Sequence, residues 1–124
     1  MALSVVIVDD SDAYLASARA LLERQGLRVV GVATSPAEAL DRVTELRPDV
    51  VVVDLHLGSD SGLELAGRLS AGNASPAVVL VSTIGREDLA ALVVGSSVRG
   101  VLTKTDLSAS AVESIVQGTG LPAC

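Results

Sequence analysis

The segment DVVVVDLHLGSDSGLEL, residues 49–65, decides the fold. Four valines run directly into Asp54, and a Gly- and Ser-rich loop follows before an amphipathic stretch begins at residue 61. A continuous apolar run of this kind is typical of a parallel strand that is buried on both faces. Because burying an unpaired carboxylate is costly, the aspartate at the end of this strand needs either solvent or a chemical partner.

The same order, an apolar run and then an amphipathic stretch, occurs five times along the chain. The predicted strands are residues 3–8, 27–33, 49–54, 77–82 and 99–104. The predicted helices are residues 11–26, 35–48, 61–72, 86–96 and 106–118. Strict alternation predicts an α/β fold with a doubly wound, five-stranded parallel sheet and right-handed crossovers. We expect residues 1–118 to form this domain and residues 119–124 to be a tail or the start of a linker.

Several helix ends carry specific signals. Ser35 followed by Pro36 predicts an N-cap and a first-turn proline, and Glu38 completes a capping-box pattern. Gly26 suits the C-terminal end of the first helix, and Asp12 is expected to cap its N-terminus.

The composition restricts the class of protein. The 124 residues suffice for one domain, and 49% apolar against 19% charged residues fits a packed core. A net charge of −6 and the absence of Trp and Phe argue against direct nucleic-acid binding by this domain. No apolar run is long enough to span a bilayer, and the first residues lack a signal-peptide pattern. One cysteine, Cys124, cannot form an intrachain disulfide, which favours a cytoplasmic location.

Polar residues follow the predicted strands, and ligands of an open parallel sheet bind beyond the carboxyl ends of its strands. These residues are Asp9, Asp10, Asp54, Ser82, Thr83 and Lys104. Neighbouring carboxylates about 5 Å apart repel by roughly 3 kcal/mol a pair at an effective dielectric near 20. A lysine offsets part of this repulsion and a divalent cation offsets more. All-oxygen ligands with open positions for water favour Mg²⁺, or Mn²⁺ as a substitute.

This set of side chains suits the transfer of a phosphoryl group to a carboxylate. The reaction needs an in-line acceptor, a metal on the phosphoryl oxygens and donors for the remaining oxygens. Asp54 is a candidate acceptor, Asp9 and Asp10 could hold the metal, and Ser82 and Lys104 could meet the phosphoryl oxygens. Two simpler interpretations stay open: Asp9 and Asp10 could cap the first helix, and Asp54 could be a solvated strand end.

Four motifs in order resemble the response-regulator receiver domain of bacterial two-component signalling. They are VVIVDDSD (5–12), DVVVVDLHLGSDSGLEL (49–65), VVLVS (78–82) and GVLTK (100–104). The resemblance covers residue 3 to about residue 118, and it implies a flavodoxin-like sheet with strand order 2-1-3-4-5.

The resemblance also implies roles for individual residues. Asp54 would accept a phosphoryl group from a sensor histidine kinase, with Asp9, Asp10, Asp54 and the backbone carbonyl of His56 as metal ligands. Ser82 would be the switch hydroxyl, with Thr83 as its alternative, and Lys104 would contact the phosphate.

The partner surface that the resemblance implies comprises residues 86–96, 99–104 and 106–118, which would face an output domain or another partner. The resemblance also implies a possible homodimer on phosphorylation. The chain itself would be a phosphoacceptor with slow autodephosphorylation and not an enzyme.

Gly58, Val101 and Thr105 depart from the family pattern, and His56 is a possible modulator. Relatives usually have proline where this chain has Gly58, which is expected to loosen the loop. They usually have an aromatic residue where this chain has Val101, so the coupled motion of hydroxyl and ring cannot occur in the same way. The His56 side chain is expected to be exposed, or alternatively to control water access to the phosphoryl group.

Two other functions compete with the phosphoacceptor interpretation. One is an interaction module with a receiver fold that no longer takes phosphate, suggested by Gly58 and Val101. The other is a phosphatase of the haloacid dehalogenase type. That reaction requires a second acid two residues after the nucleophile, where this chain has His56.

Overall fold

The computed structural model describes residues 2–72, 76–83, 91 and 93–118. The strands are β1 (Ser4–Val8), β2 (Arg28–Ala33), β3 (Val50–Asp54), β4 (His56–Leu57), β5 (Asp60–Ser61), β6 (Ala77–Ser82) and β7 (Gly100–Thr103). The described helices are α1 (Asp12–Arg24), α2 (Pro36–Leu46), α3 (Gly62–Ala71), a 3₁₀ helix (Lys104–Asp106) and α4 (Ala109–Gln117).

Five strands form one parallel sheet in the order β2-β1-β3-β6-β7. Counted along the chain without the short strands β4 and β5, this is the predicted order 2-1-3-4-5, so the flavodoxin-like fold is confirmed. The central position of β3 explains why its sequence is uniformly apolar, since both faces of a central parallel strand are covered.

The core consists of two layers, one on each face of the sheet. Val50 and Val52 of β3 belong to the layer between the sheet and the helices α1 and α4. Val51 and Val53 belong to the layer between the sheet and the helices α2 and α3. All four valines are fully buried. The alternation of side chains along a strand therefore gives a three-layer α/β/α sandwich.

Serine hydroxyls cap four helices. Those of Ser11, Ser35, Ser61 and Ser108 accept hydrogen bonds from backbone N–H groups in the first turns of α1, α2, α3 and α4. The expectation that Asp12 caps the first helix is wrong, because Ser11 caps it and Asp12 lies in the first turn. Each such cap contributes about 1 kcal/mol.

The capping box of α2 forms with one change of partner. Ser35 accepts from the Glu38 backbone N–H at 3.2 Å, as predicted. The Glu38 carboxylate, however, accepts from the backbone N–H of Thr34 at 2.7 Å and not from that of Ser35. This hydrogen bond is the main cause of a lowered pKa at Glu38.

The element boundaries differ most near the C-terminus. The strand predicted to reach residue 104 ends at Thr103, and Lys104 begins the 3₁₀ helix. The last helix begins at Ala109, because Ser108 caps it, and not at residue 106. Most of the helix predicted over 86–96 and the predicted tail 119–124 lie outside the described residues; the described Val93–Gly95 form a turn. Within the described parts of the chain, every helix is too short or too polar to cross a membrane.

Candidate functional site

Asp9, Asp54 and Lys104 leave the sheet on one face and at one edge. Side chains two residues apart in a strand share a face. The residues two positions earlier all belong to the core layer beneath α1 and α4; they are Ile7, Val52 and Leu102. The structure thus brings together three of the side chains that the sequence placed at the ends of the first, third and fifth strands.

Asp9 is completely buried, and its two carboxylate oxygens differ: Oδ1 accepts a hydrogen bond, and Oδ2 meets a positive charge in an ion pair. Oδ1 accepts from the backbone N–H of Ser11 at 2.8 Å. Oδ2 lies 2.8 Å from Nζ of Lys104. The backbone N–H of Asp9 donates to the carbonyl of Ala33 at 3.0 Å. A buried carboxylate is tolerated only when such partners replace the water that it loses.

The Lys104 ammonium joins two carboxylates. It lies 3.3 Å from Oδ2 of Asp54 in addition to its contact with Asp9. Burial by itself lowers the pKa of Lys104, but the hydrogen bond to Asp9 and the charges of Asp54 and Asp9 outweigh it, so the pKa is raised. The lysine therefore carries its positive charge between the two acids.

The environment of Asp54 favours the charged form of its carboxyl group less than the ion pair with Lys104 alone would suggest. Its burial raises the pKa of the carboxyl group, and the charge of Asp9 raises it further. Lys104 and the backbone N–H of His56, which donates to Oδ1 of Asp54 at 3.3 Å, offset only part of this. Because the net effect disfavours the charged form, an additional cation at this place would stabilise Asp54.

Asp10 completes a group of three acids. Its side chain is exposed, and its Oδ2 accepts from the backbone N–H of Gly58 at 3.0 Å. Asp9, Asp10 and Asp54 each present a carboxylate oxygen within 4.8 Å of the others. Three carboxylates face one ammonium, so the group has excess negative charge. An all-oxygen set with this charge and one exposed member fits a hard divalent cation such as Mg²⁺.

A short β-hairpin follows Asp54 where the sequence suggested only a Gly- and Ser-rich loop. Strands β4 and β5 pair antiparallel around the two-residue turn Gly58 and Ser59. Gly58 has φ +63° and Ser59 does not have a positive φ, which is the pattern of a type II′ turn. Gly-Ser between two strands is a known hairpin signal that the sequence interpretation missed.

Gly58 has a conformational role in this hairpin that the sequence interpretation did not foresee. Gly58 adopts a left-handed conformation that proline cannot reach, and it uses an N–H group that proline lacks. Glycine at this position thus supports the turn and holds Asp10.

The hairpin also orients the backbone of His56. Gly62 donates to the carbonyl of Leu55 at 2.7 Å, so the next pair of residues, His56 and Ser61, is a non-hydrogen-bonded pair of the ladder. The N–H and C=O groups of His56 therefore point away from β5, toward the side on which the N–H meets Asp54. The imidazole itself is exposed.

Gly62 is required by a close approach of two backbone segments. A Cβ atom at this position would collide with the carbonyl oxygen of Asp54. The eight-residue step from Asp54 to Gly62 seen in the sequence has a steric reason: α3 begins directly against the strand end that presents the carboxylate.

The remaining predicted residues lie around this centre. Ser82 is buried at the end of β6, one position beyond Val81, which pairs with Asp54 in the sheet. Thr83 is exposed. Val101 is half-buried in the edge strand β7 and packs on the core layer beneath α2 and α3. Val101 therefore lies on the face of the sheet opposite to that of its neighbour Leu102.

One residue at the site was not singled out from the sequence. The ring of Tyr14, in the first turn of α1, lies against Lys104, with Nζ 4.3 Å from the ring centroid. Burial is the main cause that raises the pKa of Tyr14 to about 12; Lys104 lowers it, while Asp9 and Asp54 raise it. The available signal was weak: a single aromatic residue in the helix that follows the two acids.

Sequence comparison relates the chain to signalling proteins. The profile of the response regulator receiver domain matches residues 5–115. The chain is 32% identical over 112 residues to the response regulator GacA of Pseudomonas viridiflava, covering 90% of this chain and 52% of that protein. It is 42% identical over 88 residues to protein-glutamate methylesterase/protein-glutamine glutaminase 5 of Myxococcus xanthus, covering 67% of this chain and 24% of that protein. The chain thus spans about a quarter to a half of these relatives.

Structural comparison gives the same result. The crystal structure of a two-component response regulator of the LuxR family from Aurantimonas sp. SI85-9A1 superposes with a TM-score of 0.85. The two chains are 25% identical, and the match covers 95% of this chain and 87% of the other.

Proposed function

This chain belongs to the response regulator receiver domain family, and on that basis we propose that Asp54 accepts a phosphoryl group from a sensor histidine kinase. The observation that carries the proposal is the environment of Asp54. Its carboxylate is buried at the strand end, paired with Lys104, and close to two further acids. An ordinary solvated strand end would have none of these features.

In the proposed reaction, the Asp54 carboxylate attacks the phosphorus atom of the kinase's phosphohistidine. A new O–P bond forms as the N–P bond breaks, and the electron pair of the N–P bond stays on the histidine nitrogen. Limited exposure of Asp54 restricts water, and the ammonium of Lys104 is already in place beside the acceptor oxygen. Positioning and charge stabilisation account for most of the catalysis in phosphoryl transfer.

Mg²⁺ would be held by Asp9, Asp10, Asp54 and the backbone carbonyl of His56, and Mn²⁺ could substitute for it. Such an ion supplies charge neutralisation at the phosphoryl oxygens. The protein orients these ligands through its backbone. The N–H groups of Ser11, Gly58 and His56 donate hydrogen bonds to the carboxylates of Asp9, Asp10 and Asp54, respectively.

We propose that Lys104 and Ser82 contact the phosphoryl group once Asp54 is phosphorylated. Lys104 would move its ion pair from the Asp54 carboxylate to a phosphoryl oxygen, which carries more negative charge. Ser82, buried at the neighbouring strand end, would donate its hydroxyl to another phosphoryl oxygen. Thr83 is the weaker candidate for this role because it is exposed. The reorientation of Ser82 would bias a conformational equilibrium that the output partner detects.

The proposed setting is a cytoplasmic signalling pathway. The domain would act as a phosphoacceptor without an output activity of its own, and residues 93–118 would contribute to the partner surface. The Myxococcus relative carries methylesterase in its name, but the match covers 24% of that protein. We therefore do not transfer that activity to this chain.

The test uses acetyl phosphate as a small phosphodonor with Mg²⁺ and follows the intact mass of the protein. We expect the addition of one phosphoryl group, which Asp54→Asn abolishes. Asp60→Asn is the matched control, because Asp60 is an exposed aspartate of the adjacent hairpin and should leave the reaction unchanged.

Two results would contradict the proposal. Labelling that persists in Asp54→Asn would show that another residue is the acceptor. No labelling of the wild-type chain, by acetyl phosphate or by a purified histidine kinase, would favour the alternative function of a phosphate-independent interaction module.

A further inference from the structure

Tyr14 is the only aromatic residue of the chain, and it lies at the candidate site. The face of its ring is 4.3 Å from Nζ of Lys104. This distance is within the range in which an ammonium is attracted to the negative face of an aromatic ring. The contact joins the first turn of α1 to the 3₁₀ helix that follows β7.

Lys104 needs such a contact because its side chain is long and flexible. Its ammonium meets Asp9 on one side and Asp54 on another, at 2.8 Å and 3.3 Å. The Tyr14 ring covers a further side. Fixing a lysine side chain costs rotamer entropy, so a third contact that removes alternative positions of the ammonium matters.

The hydroxyl of Tyr14 does not explain why the residue is there. It is buried, and among the residues that the structure describes it has no hydrogen-bond partner. An unsatisfied buried hydroxyl is unfavourable for the folded state. The useful part of Tyr14 is therefore the face of its ring, which phenylalanine would supply equally well.

We propose that Tyr14 is a positioning residue for Lys104, and that its ring face holds the ammonium between Asp9 and Asp54. The ring acts through the lysine and does not touch the reacting atoms. Its effect on phosphoryl transfer rests on the proposed acceptor role of Asp54, whereas the contact with Lys104 does not. Loss of the contact leaves the ammonium in several positions, only one of which faces the incoming phosphoryl group.

The test varies the charge of the ring face and keeps its shape. Tyr14→Phe is the parent variant, and mono-, di- and trifluorinated phenylalanine at position 14 progressively weaken the negative face. The first readout is the NMR shift of the Lys104 methylene next to the ammonium, which a ring current displaces upfield. The second readout is the rate of phosphorylation by acetyl phosphate at saturating Mg²⁺. Thermal melts establish that each variant is folded.

We expect Tyr14→Phe to react within about twofold of the wild-type rate, since the ring face is kept. Across the fluorinated series the rate should fall by roughly three- to tenfold, the range that a cation–π contact of this kind supports. The Lys104 methylene shift should move stepwise toward its free value in the same order. Tyr14→Leu should give the end point of both trends.

A constant or rising rate across the series, in folded variants, would overturn the proposal, as would an unchanged Lys104 shift. If the wild-type chain takes up no phosphoryl group, the proposed acceptor function fails and the Lys104 shift still decides the role of Tyr14. Should Tyr14→Leu not fold, the fluorinated variants decide both readouts, because they retain the shape of the ring.

Discussion

At the scale of single residues, the site is a balance between two acids and one lysine. Asp9 has no exposure and depends on Ser11 and Lys104 for its partners. Asp54 shares the same ammonium, at a longer distance, and its pKa is raised because burial and the charge of Asp9 outweigh the contribution of the lysine. A new cation beside Asp54, or neutralisation of its carboxylate, would therefore relieve this unfavourable charge.

Asp54→Asn should stabilise the fold at neutral pH in the absence of divalent cations, by on the order of 1 kcal/mol. A carboxyl group with a raised native pKa binds its proton more tightly in the folded state than in the unfolded state. The wild-type free energy of unfolding therefore decreases as the pH rises from about 3.9, the unfolded value, through the raised native value. The gain of the variant should shrink as the pH falls through that window.

Urea denaturation at a series of pH values, with chelator present, measures this difference. Asp60→Asn removes an exposed charge from the neighbouring hairpin and should change stability little at any pH. If Asp54→Asn were less stable than wild type at neutral pH, the ion pair with Lys104 would outweigh burial, contrary to the sign argued above.

At the scale of secondary-structure elements, local signals predicted the main strands and the starts of helices better than the segments that connect them. The Ser35, Pro36 and Glu38 pattern gave the start of α2 because capping depends only on adjacent residues. The hairpin of β4 and β5 was missed because its strands have two residues each, too few for a visible periodicity.

Gly58→Ala should weaken Mg²⁺ binding by several-fold, and Gly58→Pro should weaken it further. Alanine is strained at a positive φ by roughly 1–2 kcal/mol. Space for its methyl group is available, since the nearest atom to an added Cβ is Oδ2 of Asp10 at 4.0 Å. Proline in addition removes the N–H that Asp10 accepts from. Isothermal titration with Mg²⁺ measures the affinities.

Gly67→Ala is the matched control for this pair of variants. Gly67 lies within α3, and an added Cβ there meets nothing within 4 Å. Alanine should stabilise the helix by about 0.5–1 kcal/mol and leave Mg²⁺ affinity unchanged. Equal Mg²⁺ affinity in Gly58→Pro and wild type would show that the hairpin has no part in holding Asp10.

At the scale of the whole molecule, a buried Val-rich sheet presents an acidic edge, so cation binding should stabilise the entire domain. At ten times its dissociation constant, Mg²⁺ should add roughly 1.4 kcal/mol to the free energy of unfolding by mass action. For a domain of this size, that raises the melting temperature by about 5 °C. Thermal melts with millimolar Mg²⁺ or with chelator measure the shift.

Asp10→Asn provides the control for this experiment. Asp10 is exposed, so the variant should fold normally, yet it removes one of the three carboxylates and should reduce the shift. A wild-type melting temperature that does not respond to Mg²⁺ would argue against a cation site at this edge of the sheet.

The sequence alone determined the layered fold and the edge at which polar residues collect. Apolar runs and helix caps are local patterns, and the strict alternation of strands and helices predicts a doubly wound parallel sheet. The order of its strands was implied by the resemblance of four motifs to receiver domains.

Only the tertiary structure decided how those residues pair. The sharing of one ammonium by Asp9 and Asp54, and the Tyr14 ring against it, join distant parts of the chain. Such distances depend on strand register and on how α1 packs over the sheet, which no local pattern encodes. The hydrogen bond from the Gly58 N–H to Asp10 was likewise decided only by the tertiary structure, because the two residues follow different strands of the sheet.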